Sequence, residues 1–319
     1  MKKKILIIRF SSFGDIVQAM SVLRPLKTRS TDSEIHWLTR SEFSNLVTLS
    51  PYVDRVISFD KKSGLLGLIK LGFQLRSEGY ELIYDAHRNT RSAILRWIFL
   101  GIHIVSRPKS RWKRILLFTF RINKFPWPFR GMKSYLEPLR LPDSELHQQW
   151  SFSSEVTTKV DQLVGENFVC LAPSAAWEMK RWPLSHWKEL INLKSETRFV
   201  VLGGPADTFC EELVQVAPER VSNLAGKLSL IESCYAVSKA NALVSADTGL
   251  IHVADILGVK GLSLVGPTAF GFPTNSNIET LEVDLPCRPC SKDGRGGCSQ
   301  EVWQKCMVDI RPEAVSSKI

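Results

Sequence analysis

Residues 243–268 read LVSADTGLIHVADILGVKGLSLVGPT, and this stretch decides the fold that we predict. Two apolar runs, 243–244 and 261–265, flank a polar turn and an amphipathic segment that ends at Gly258. That order is typical of a βαβ unit, in which a helix joins two parallel strands. In an open parallel sheet, ligands bind outside the carboxyl ends of the strands, where turns lead into helices. The stretch therefore predicts a ligand site at its turn.

Asp247, Thr248 and Gly249 occupy this turn, and His252 follows one helical turn later. Free backbone N–H groups and the positive end of the helix should face an anion there, such as a phosphate. His252 lies four residues after Thr248 and shares its helical face. A purely structural interpretation stays open, because Asp247 or Thr248 could cap the helix and His252 could be a core histidine.

The remaining chain alternates apolar strand patterns with helical patterns. Predicted strands cover residues 5–8, 34–38, 55–59 and 81–84 in the first half, and 168–171, 199–202 and 221–224 in the second. This alternation predicts parallel, doubly wound sheets of the α/β class. A polar stretch at 142–154 is the best linker candidate. We therefore predict two Rossmann-like domains, residues 1–152 and 153–319, that face a central cleft.

Charge is distributed unevenly along the 319 residues. Residues 1–150 contain 26 Lys and Arg against 12 Asp and Glu, whereas residues 151–319 contain 16 against 20. Within 88–140, thirteen basic and nine aromatic residues accompany one acidic residue, Glu137. Such a surface favours a polyanion: nucleic acid, an anionic membrane face or a phosphorylated lipid-linked sugar. A solvated face above ordinary core aromatics is the alternative.

Several protein classes are disfavoured. No apolar run reaches the roughly 18 residues of a membrane span, and apolar residues 5–8 are too few for a signal peptide, so we expect a cytoplasmic protein. The patterns GxGxxG, GxxxxGK[ST] and GxSxG are absent from the sequence, which disfavours a dinucleotide cofactor, a P-loop nucleotidase and an α/β-hydrolase. No nucleic-acid-binding signature accompanies the basic half, so nucleic acid is not expected as a partner.

Two further turns carry candidate catalytic side chains. Asp15 follows the first strand and begins the first helix, where a carboxylate could act as a general base. Ser12 and Asp15 equally fit a helix capping box. Lys180 lies in the loop APSAAWEMKRWP, residues 172–183, where a fixed cation suits a phosphate oxygen. Two adjacent surface charges, Lys180 and Arg181, are also common without any such role.

Four of the seven cysteines, Cys287, Cys290, Cys298 and Cys306, cluster around a glycine-rich segment. Their spacing could hold a structural zinc ion. Disulfides are less expected in a reducing cytoplasm, and reduced thiols without a metal remain an alternative. No histidine or carboxylate motif accompanies the cluster, so we expect no catalytic role for it.

Together, the motifs resemble those of glycosyltransferase family 9, the lipopolysaccharide ADP-heptose heptosyltransferases. The resemblance covers nearly the full chain, and its motifs are ILIIRFSSFGDIVQAMSVLRPLK (5–27), YVDRVISFD (52–60), KRWPLSHWKELI (180–191), SADTGLIHVADILGVKGLSLVGPT (245–268) and CMVDIRPEAV (306–315). Each motif alone is modest, but the set in this order and spacing is specific.

The resemblance implies a GT-B fold, with the acceptor bound by the first domain and the nucleotide sugar by the second. It implies inverting, metal-independent transfer of a heptose or related sugar from an ADP-sugar to an inner-core acceptor. Asp15 matches the family's general base, and Lys180 matches the lysine that steadies the donor's phosphates. The donor-binding motif corresponds to Asp247, Thr248, Gly249 and His252. A fixed cation and a helix N-terminus suit the charge that develops on the departing diphosphate.

Two departures from the family pattern concern specificity. Ala175 and Ala176 stand where ADP-heptose enzymes carry a pair of Thr, which leaves Ser174 as the nearest hydroxyl for the donor and leaves the donor sugar open. His87 and Arg88 stand where many members carry Asp-x-Gln-Gly. We expect them to contact an anionic acceptor, together with Ser11 and Ser12.

The expected partners are thus ADP-heptose as nucleotide-sugar donor, an anionic glycolipid acceptor and the anionic inner face of the cytoplasmic membrane, bound peripherally. No cofactor is expected to be required for catalysis. Two alternatives stay open: the same fold with a different nucleotide-sugar donor, and a non-catalytic protein that binds a nucleotide or polyanion. A binding protein should tolerate Asp15→Asn, whereas a transferase should lose transfer and keep nucleotide binding.

Overall fold

The computed structural model describes residues 3–144 and 146–319, which divide into two compact units. The first is drawn from Met1–Ser110 and Met132–Ser151, and the second from Arg111–Gly131 and Phe152–Ile319. We predicted a boundary at residue 152, with residues 111–131 in the first domain; the structure groups that segment with the second unit. None of the helices in the described part of the chain combines the length and apolarity needed to cross a bilayer.

The strands are, in chain order, β1 (Lys4–Ile8), β2 (Glu34–Arg40), β3 (Arg55–Phe59), β4 (Leu82–Asp85), β5 (His103–Ser106), β6 (Phe168–Ala172), β7 (Arg198–Val201), β8 (Val221–Asn223), β9 (Ala242–Ala246), β10 (Gly261–Leu264) and β11 (Ile278–Leu281). The α-helices are α1 (Phe13–Met20), α2 (Leu23–Arg29), α3 (Ser44–Val47), α4 (Gly64–Arg76), α5 (Thr90–Ile98), α6 (Arg111–Phe120), α7 (Lys133–Leu136), α8 (Ser154–Val164), α9 (Leu184–Leu193), α10 (Glu211–Val214), α11 (Leu230–Lys239), α12 (Gly249–Leu257), α13 (Lys305–Val308) and α14 (Pro312–Ser316).

Each unit contains one parallel sheet. The first sheet has the order β3-β2-β1-β4-β5, and the second has the order β11-β10-β9-β6-β7-β8. In the first sheet the order of the strands reverses between β1 and β4, and in the second it reverses between β6 and β9. Ligands of doubly wound sheets bind beyond the carboxyl ends of the strands at such a reversal. The predicted α/β fold with two Rossmann-like units is confirmed.

The central strands are apolar because both of their faces are covered. In β1, which reads KILII, the last four residues are buried. Neighbouring strands add Trp37 and Tyr84, which are among the largest fully buried side chains. In the second unit, Trp187 and Phe199 are fully buried in the hydrophobic core. Trp182 donates from Nε1 to the Ile310 carbonyl at 2.8 Å, which ties the C-terminal segment to this core.

Residues 111–131, which we call the inserted segment, pack on the end of the second unit by aromatic contacts. Rings of Phe118, Phe125 and Phe129 surround Phe270 with centroid distances of 6.0, 5.2 and 5.0 Å. Arg121 adds a hydrogen bond from Nη1 to the Pro289 carbonyl at 3.0 Å. Edge-to-face aromatic pairs stabilise a contact beyond their buried area, so these rings explain why the segment belongs to the second unit.

Candidate active site

Arg9 follows β1 directly, and two partners hold its guanidinium. Nη1 donates to the Ala86 carbonyl, just beyond β4, at 2.8 Å, and Nη2 lies 2.7 Å from Oδ2 of Asp15. Only 6% of Arg9 is exposed, so this cation is buried where β1 and β4 end. We did not single out Arg9, although a charged residue immediately after a buried strand is a signal that was present in the sequence.

Asp15 lies in the first turn of α1, with 42% of its side chain exposed. The Ser12 hydroxyl donates to Oδ2 at 2.7 Å, and the Tyr135 hydroxyl lies 3.4 Å from Oδ1. Burial raises the pKa of the carboxyl, but the charge of Arg9, the Ser12 hydrogen bond and the charge of Arg107 outweigh it and lower the pKa to about 2. The capping box with Ser12 is also present. Asp15 therefore takes part in the capping box and also presents an exposed, ionised carboxylate.

Arg107 and Tyr135 complete the surroundings of Asp15. The Arg107 guanidinium lies 3.8 Å from the centroid of the Tyr135 ring, and its Nη2 donates to Ser134 Oγ at 2.6 Å. Tyr84 donates from its hydroxyl to the Tyr135 carbonyl at 2.7 Å. We predicted none of these contacts, because Tyr135 lies on a short helix far along the chain and no local pattern links it to Asp15.

The turn after β4 positions His87 and Arg88. Buried Asp85 accepts the backbone N–H groups of His87 at 3.1 Å and Arg88 at 2.7 Å through Oδ1. Burial lowers the pKa of His87, and the charges of Arg9 and Lys109 lower it further, to about 3. His87 is therefore neutral near pH 7 and offers a hydrogen bond rather than a charge. The Arg88 side chain is exposed.

Lys180 and Asp247 meet in the second unit, at the ends of β6 and β9. Lys180 Nζ lies 2.8 Å from Oδ2 of Asp247, and the Thr268 hydroxyl donates to the same oxygen at 2.8 Å. Burial raises the pKa of Asp247, but the Lys180 ammonium, His252 and Thr268 outweigh it, so that the pKa is lowered overall. The carboxylate is thus a charged anchor that fixes the position of Lys180.

The start of α12 follows this anchor. Thr248 is the N-cap residue and Gly249 begins the helix, yet the Thr248 hydroxyl lies 2.9 Å from Ser245 Oγ and makes no capping bond within the described residues. His252 is 5% exposed, and its Nε2 lies 3.9 Å from Oδ1 of Asp247. The side chains of Asp247 and Thr248 therefore bond to partners other than the first N–H groups of the helix.

The loop between β6 and α9 carries Ser174, which is half-buried, and the two alanines that precede Lys180. Ala175 is 5% exposed, and its carbonyl accepts Arg181 Nε at 3.0 Å. Arg181 also lies 3.9 Å from Asp207, whose Oδ2 accepts the Gly204 N–H at 2.7 Å. Arg181 thereby connects this loop to the glycine turn after β7.

Two glycines approach the Lys180–Asp247 pair closely, and we had singled out neither. A Cβ on Gly271 would lie 2.1 Å from Cγ of Asp247, and a Cβ on Gly294 would lie 2.6 Å from Cγ of Lys180. Gly294 has a φ of +93°, which favours glycine. Arg295 stacks over Trp177 at 4.6 Å, beside the same lysine. The glycine-rich segment KDGRGG therefore covers Lys180.

The zinc prediction is not supported. Across residues 3–144 and 146–319, no three His, Cys, Asp or Glu side chains converge in a way that could hold a metal ion. The cysteine cluster contains only free thiols, at Cys287, Cys290, Cys298 and Cys306. Burial raises the pKa of Cys306 to about 11. Gly294 of this region instead permits the close contact with Lys180, and the spacing of the cysteines alone could not reveal that.

Solved structures with this architecture include glycosyltransferases. The Escherichia coli ADP-heptose LPS heptosyltransferase II matches with a TM-score of 0.74 at 23% identity, over 99% of this chain and 97% of that one. A family 9 glycosyl transferase from Veillonella parvula matches with a TM-score of 0.77 at 20% identity, over 99% and 96%. The fold is therefore GT-B, as we predicted.

Sequence comparison gives the family. The model of glycosyltransferase family 9 (heptosyltransferase) matches residues 68–297. The lipopolysaccharide heptosyltransferase 2 of Escherichia coli K12 is 26% identical over 353 aligned positions, 99% of this chain and 97% of that one. The lipopolysaccharide heptosyltransferase 1 of Pseudomonas aeruginosa is 24% identical over 309 positions, 91% and 86% of the two chains. The chain belongs to glycosyltransferase family 9 and is a glycosyltransferase, so the prediction from its motifs is confirmed.

Proposed function

We propose that this protein transfers a heptose from ADP-heptose to a sugar of the lipopolysaccharide inner core, with inversion and without a metal ion. Membership of the family supports the reaction class, and the similarity to lipopolysaccharide heptosyltransferases supports heptose and lipopolysaccharide as the substrate classes. In this proposal the first unit binds the acceptor and the second unit binds the nucleotide sugar. The enzyme acts in the cytoplasm, at the inner face of the cytoplasmic membrane, where a lipid-linked acceptor is held.

The observation that carries the proposal is the environment of Asp15. Its carboxylate is exposed, oriented by Ser12 and Arg9, and has a pKa near 2, so it is ionised at every working pH. As the acceptor oxygen bonds to the anomeric carbon, its proton passes to Asp15. The bond from that carbon to the diphosphate breaks, and its electron pair leaves with ADP. The hydroxyl becomes acidic as the new bond forms, so that even a weak carboxylate base takes its proton.

Charge develops on the leaving diphosphate, and the second unit contains groups that suit it. Lys180, anchored by Asp247, supplies a fixed cation, while Thr248 and Gly249 supply the N-terminus of α12. A preorganised cation and helix dipole stabilise such charge without reorganisation during the reaction. His252 is almost fully buried, so its contribution to donor binding is made through its contact with Asp247.

The remaining donor contact is assigned to the Ser174 hydroxyl. On the acceptor side, we assign contacts to Ser11 and Ser12 beside Asp15, and to neutral His87 and exposed Arg88 after β4. Arg88 supplies the positive charge that a phosphorylated acceptor requires, and it is the only one of the four that carries a charge. These contacts follow the ends of β1 and β4, where the first sheet reverses.

Asp15→Asn tests the reaction directly. We expect transfer from ADP-heptose to a heptose-deficient lipopolysaccharide to fall by about 10² to 10⁴, the usual contribution of a general base, while the affinity for ADP in calorimetry stays unchanged. Asp143→Asn is the matched control, because Asp143 is an exposed carboxylate of the same unit that pairs with Lys133. Full transfer by the Asp15→Asn enzyme would refute the assignment.

A different nucleotide-sugar donor is the second candidate, favoured by the lack of hydroxyls on Ala175 and Ala176. Heat stabilisation by ADP, UDP and GDP separates the two candidates. A nucleotide that binds only the folded state raises the free energy of unfolding by about 2.7 kcal/mol at a hundredfold excess over its Kd. We expect ADP to stabilise the protein most at equal concentration. Equal stabilisation by all three nucleotides would remove ADP-heptose from the proposal.

A further inference from the structure

Helices α4 and α5 of the first unit pack closely against each other and present an unusual outer surface. A Cβ on Gly72 would lie 2.7 Å from Cδ1 of Ile98, so the helices cross with little space between them. The outward side chains of these helices and of the turn after α5 include five large apolar residues that are more than half exposed: Leu65 (54%), Leu66 (82%), Phe73 (58%), Trp97 (73%) and Leu100 (57%). We call these residues, with the basic side chains around them, the α4–α5 face.

The spacing within α4 places apolar and basic groups on one side of the helix. Leu66, Lys70 and Phe73 follow one another at intervals of four and three residues, which lie on the same helical face. Trp97 lies in the last turn of α5, and Leu100 lies two residues beyond its end. Contiguous apolar residues with a polar rim mark an interaction surface rather than ordinary exposure of single side chains.

The charged side chains around these five apolar residues are positive. The segments 61–77 and 86–100 contain no acidic residue. Besides Arg88, which we assign to the acceptor, their exposed cations are Lys61, Lys62, Lys70, Arg76 and Arg91. Within the described residues, none of these five forms an ion pair with a carboxylate. Three acidic residues that flank these segments in the sequence have other partners: Asp60 accepts the Lys62 N–H at 2.8 Å, Glu78 pairs with Arg55 at 2.9 Å, and Asp85 is buried beside Arg96.

We propose that the α4–α5 face docks the protein on a phospholipid bilayer with anionic headgroups. The five apolar side chains would enter the boundary of headgroups and acyl chains, and the lysines would meet the negative surface. A second copy of this chain fits poorly, because it would bring two equally basic surfaces together. A nucleic acid would satisfy the lysines but would leave Leu65, Leu66 and Leu100 in water. The proposal deepens the membrane location in the proposed function by assigning it to particular residues.

Sedimentation of the full chain with vesicles tests the proposal. Vesicles of phosphatidylglycerol and phosphatidylethanolamine are compared with vesicles of phosphatidylcholine. We expect the wild type to bind only the former, and the L66Q/F73Q/W97Q variant and the K61E/K62E/K70E variant each to bind at least tenfold more weakly, as expected for loss of apolar and basic contacts. All of these side chains are exposed, so a thermal melt should show that the variants stay folded.

Two comparison variants make the assignment specific. L163Q/L193Q/W303Q removes three apolar side chains of the second unit that are 40–49% exposed, and it should bind vesicles like the wild type. W112Q/F120Q alters α6, a second helix with exposed aromatic side chains in a basic stretch, where Trp112 is 79% and Phe120 is 61% exposed. If only W112Q/F120Q loses binding, or if no variant does, the α4–α5 face is not the docking surface.

Failure of the docking surface can be distinguished from failure of the proposed function. Transfer to an acceptor freed of its lipid should be unchanged in the α4–α5 variants, and so should the affinity for ADP, because no residue of this face belongs to the sites assigned above. A wild type that binds anionic vesicles but transfers no sugar would overturn the proposed function and leave the docking surface in place. A wild type that transfers sugar but ignores anionic vesicles would overturn the docking surface alone.

Discussion

Lys180 and Asp247 form a largely buried ion pair, with Nζ 2.8 Å from Oδ2 and 14% of each side chain exposed. The two residues come from different loops, one after β6 and the other after β9. Because each charge loses most of its water, each depends on the other for its stability. The pair therefore links the stability of the second unit to the cation that we assign to donor binding.

Removing only the cation should destabilise the protein more than removing both charges. Lys180→Met leaves Asp247 buried without its partner, and we expect the free energy of unfolding to fall by about 3 kcal/mol. The K180M/D247N double variant should recover part of this loss, since no unpaired charge remains. Both variants should bind ADP at least about tenfold more weakly, the effect of losing one charge-assisted hydrogen bond. Urea unfolding and calorimetry measure the two effects; equal stability of the single and double variants would contradict the coupling.

Gly294→Ala should weaken donor binding through the position of Lys180. The new Cβ would lie 2.6 Å from Cγ and 2.8 Å from Cδ of Lys180, so the lysine must move. Gly296→Ala is the matched control, because Gly296 also has a positive φ but its Cβ would meet no atom within 4 Å. Both variants should lose about 1 kcal/mol of stability from backbone strain. Only Gly294→Ala should bind ADP more weakly in calorimetry, and equal ADP affinity of the two variants would show that Gly294 does not control Lys180.

Protonation of Asp15 should not limit activity near neutral pH. Its pKa of about 2 places the loss of the basic form far below pH 5. Ser12→Ala removes a donor at 2.7 Å that favours the ionised form. We therefore expect the acid limb of kcat/KM to move to higher pH in Ser12→Ala, while ADP affinity is unchanged. The measurement is a pH series for wild type and variant; superimposable acid limbs would indicate that another group titrates.

His87 should make the protein less stable as the pH falls. Its pKa is about 3 in the folded protein and near 6.5 in the unfolded chain, so between these values the unfolded chain binds more protons. The free energy of unfolding should then fall with decreasing pH by up to about 1.4 kcal/mol per pH unit. His87→Gln removes this dependence. Burial raises the pKa of Asp255 to about 6, so this residue favours higher stability at lower pH, opposite to His87. Its effect on the free energy of unfolding is the same in the wild type and in His87→Gln. Parallel stability curves for wild type and variant between pH 4 and 6.5 would contradict the prediction.

The fold could be predicted from the sequence because its central strands are continuous apolar runs with clear turns at their ends. The strands that we missed, β5 and β11, lie at sheet edges and are only partly buried, so they lack that pattern. The position of residues 111–131 was equally hidden. It depends on contacts with Phe270, about 150 residues later, which no local periodicity records.

The site residues that could be predicted from the sequence are those that lie at or shortly after the end of a strand. Asp15, Lys180 and Asp247 all follow buried strands directly or by a short loop, and the structure brings Lys180 to Asp247. The supporting side chains were not predictable, because Arg107 and Tyr135 reach Asp15 through tertiary packing. The cysteines around the glycine-rich segment suggested a metal site. The close approach of this segment to Lys180 depends on three-dimensional packing, which the sequence does not show.

The aromatic packing of the inserted segment determines how this protein can be dissected. A fragment cut at the apparent linker, near residue 152, would lack Phe118, Phe125 and Phe129, and would leave Phe270 uncovered. Such a fragment should aggregate on expression, whereas supplying residues 111–131 on a flexible tether should restore a soluble nucleotide-binding half. The two halves of the enzyme are therefore interleaved in the gene, and simple truncation cannot separate them.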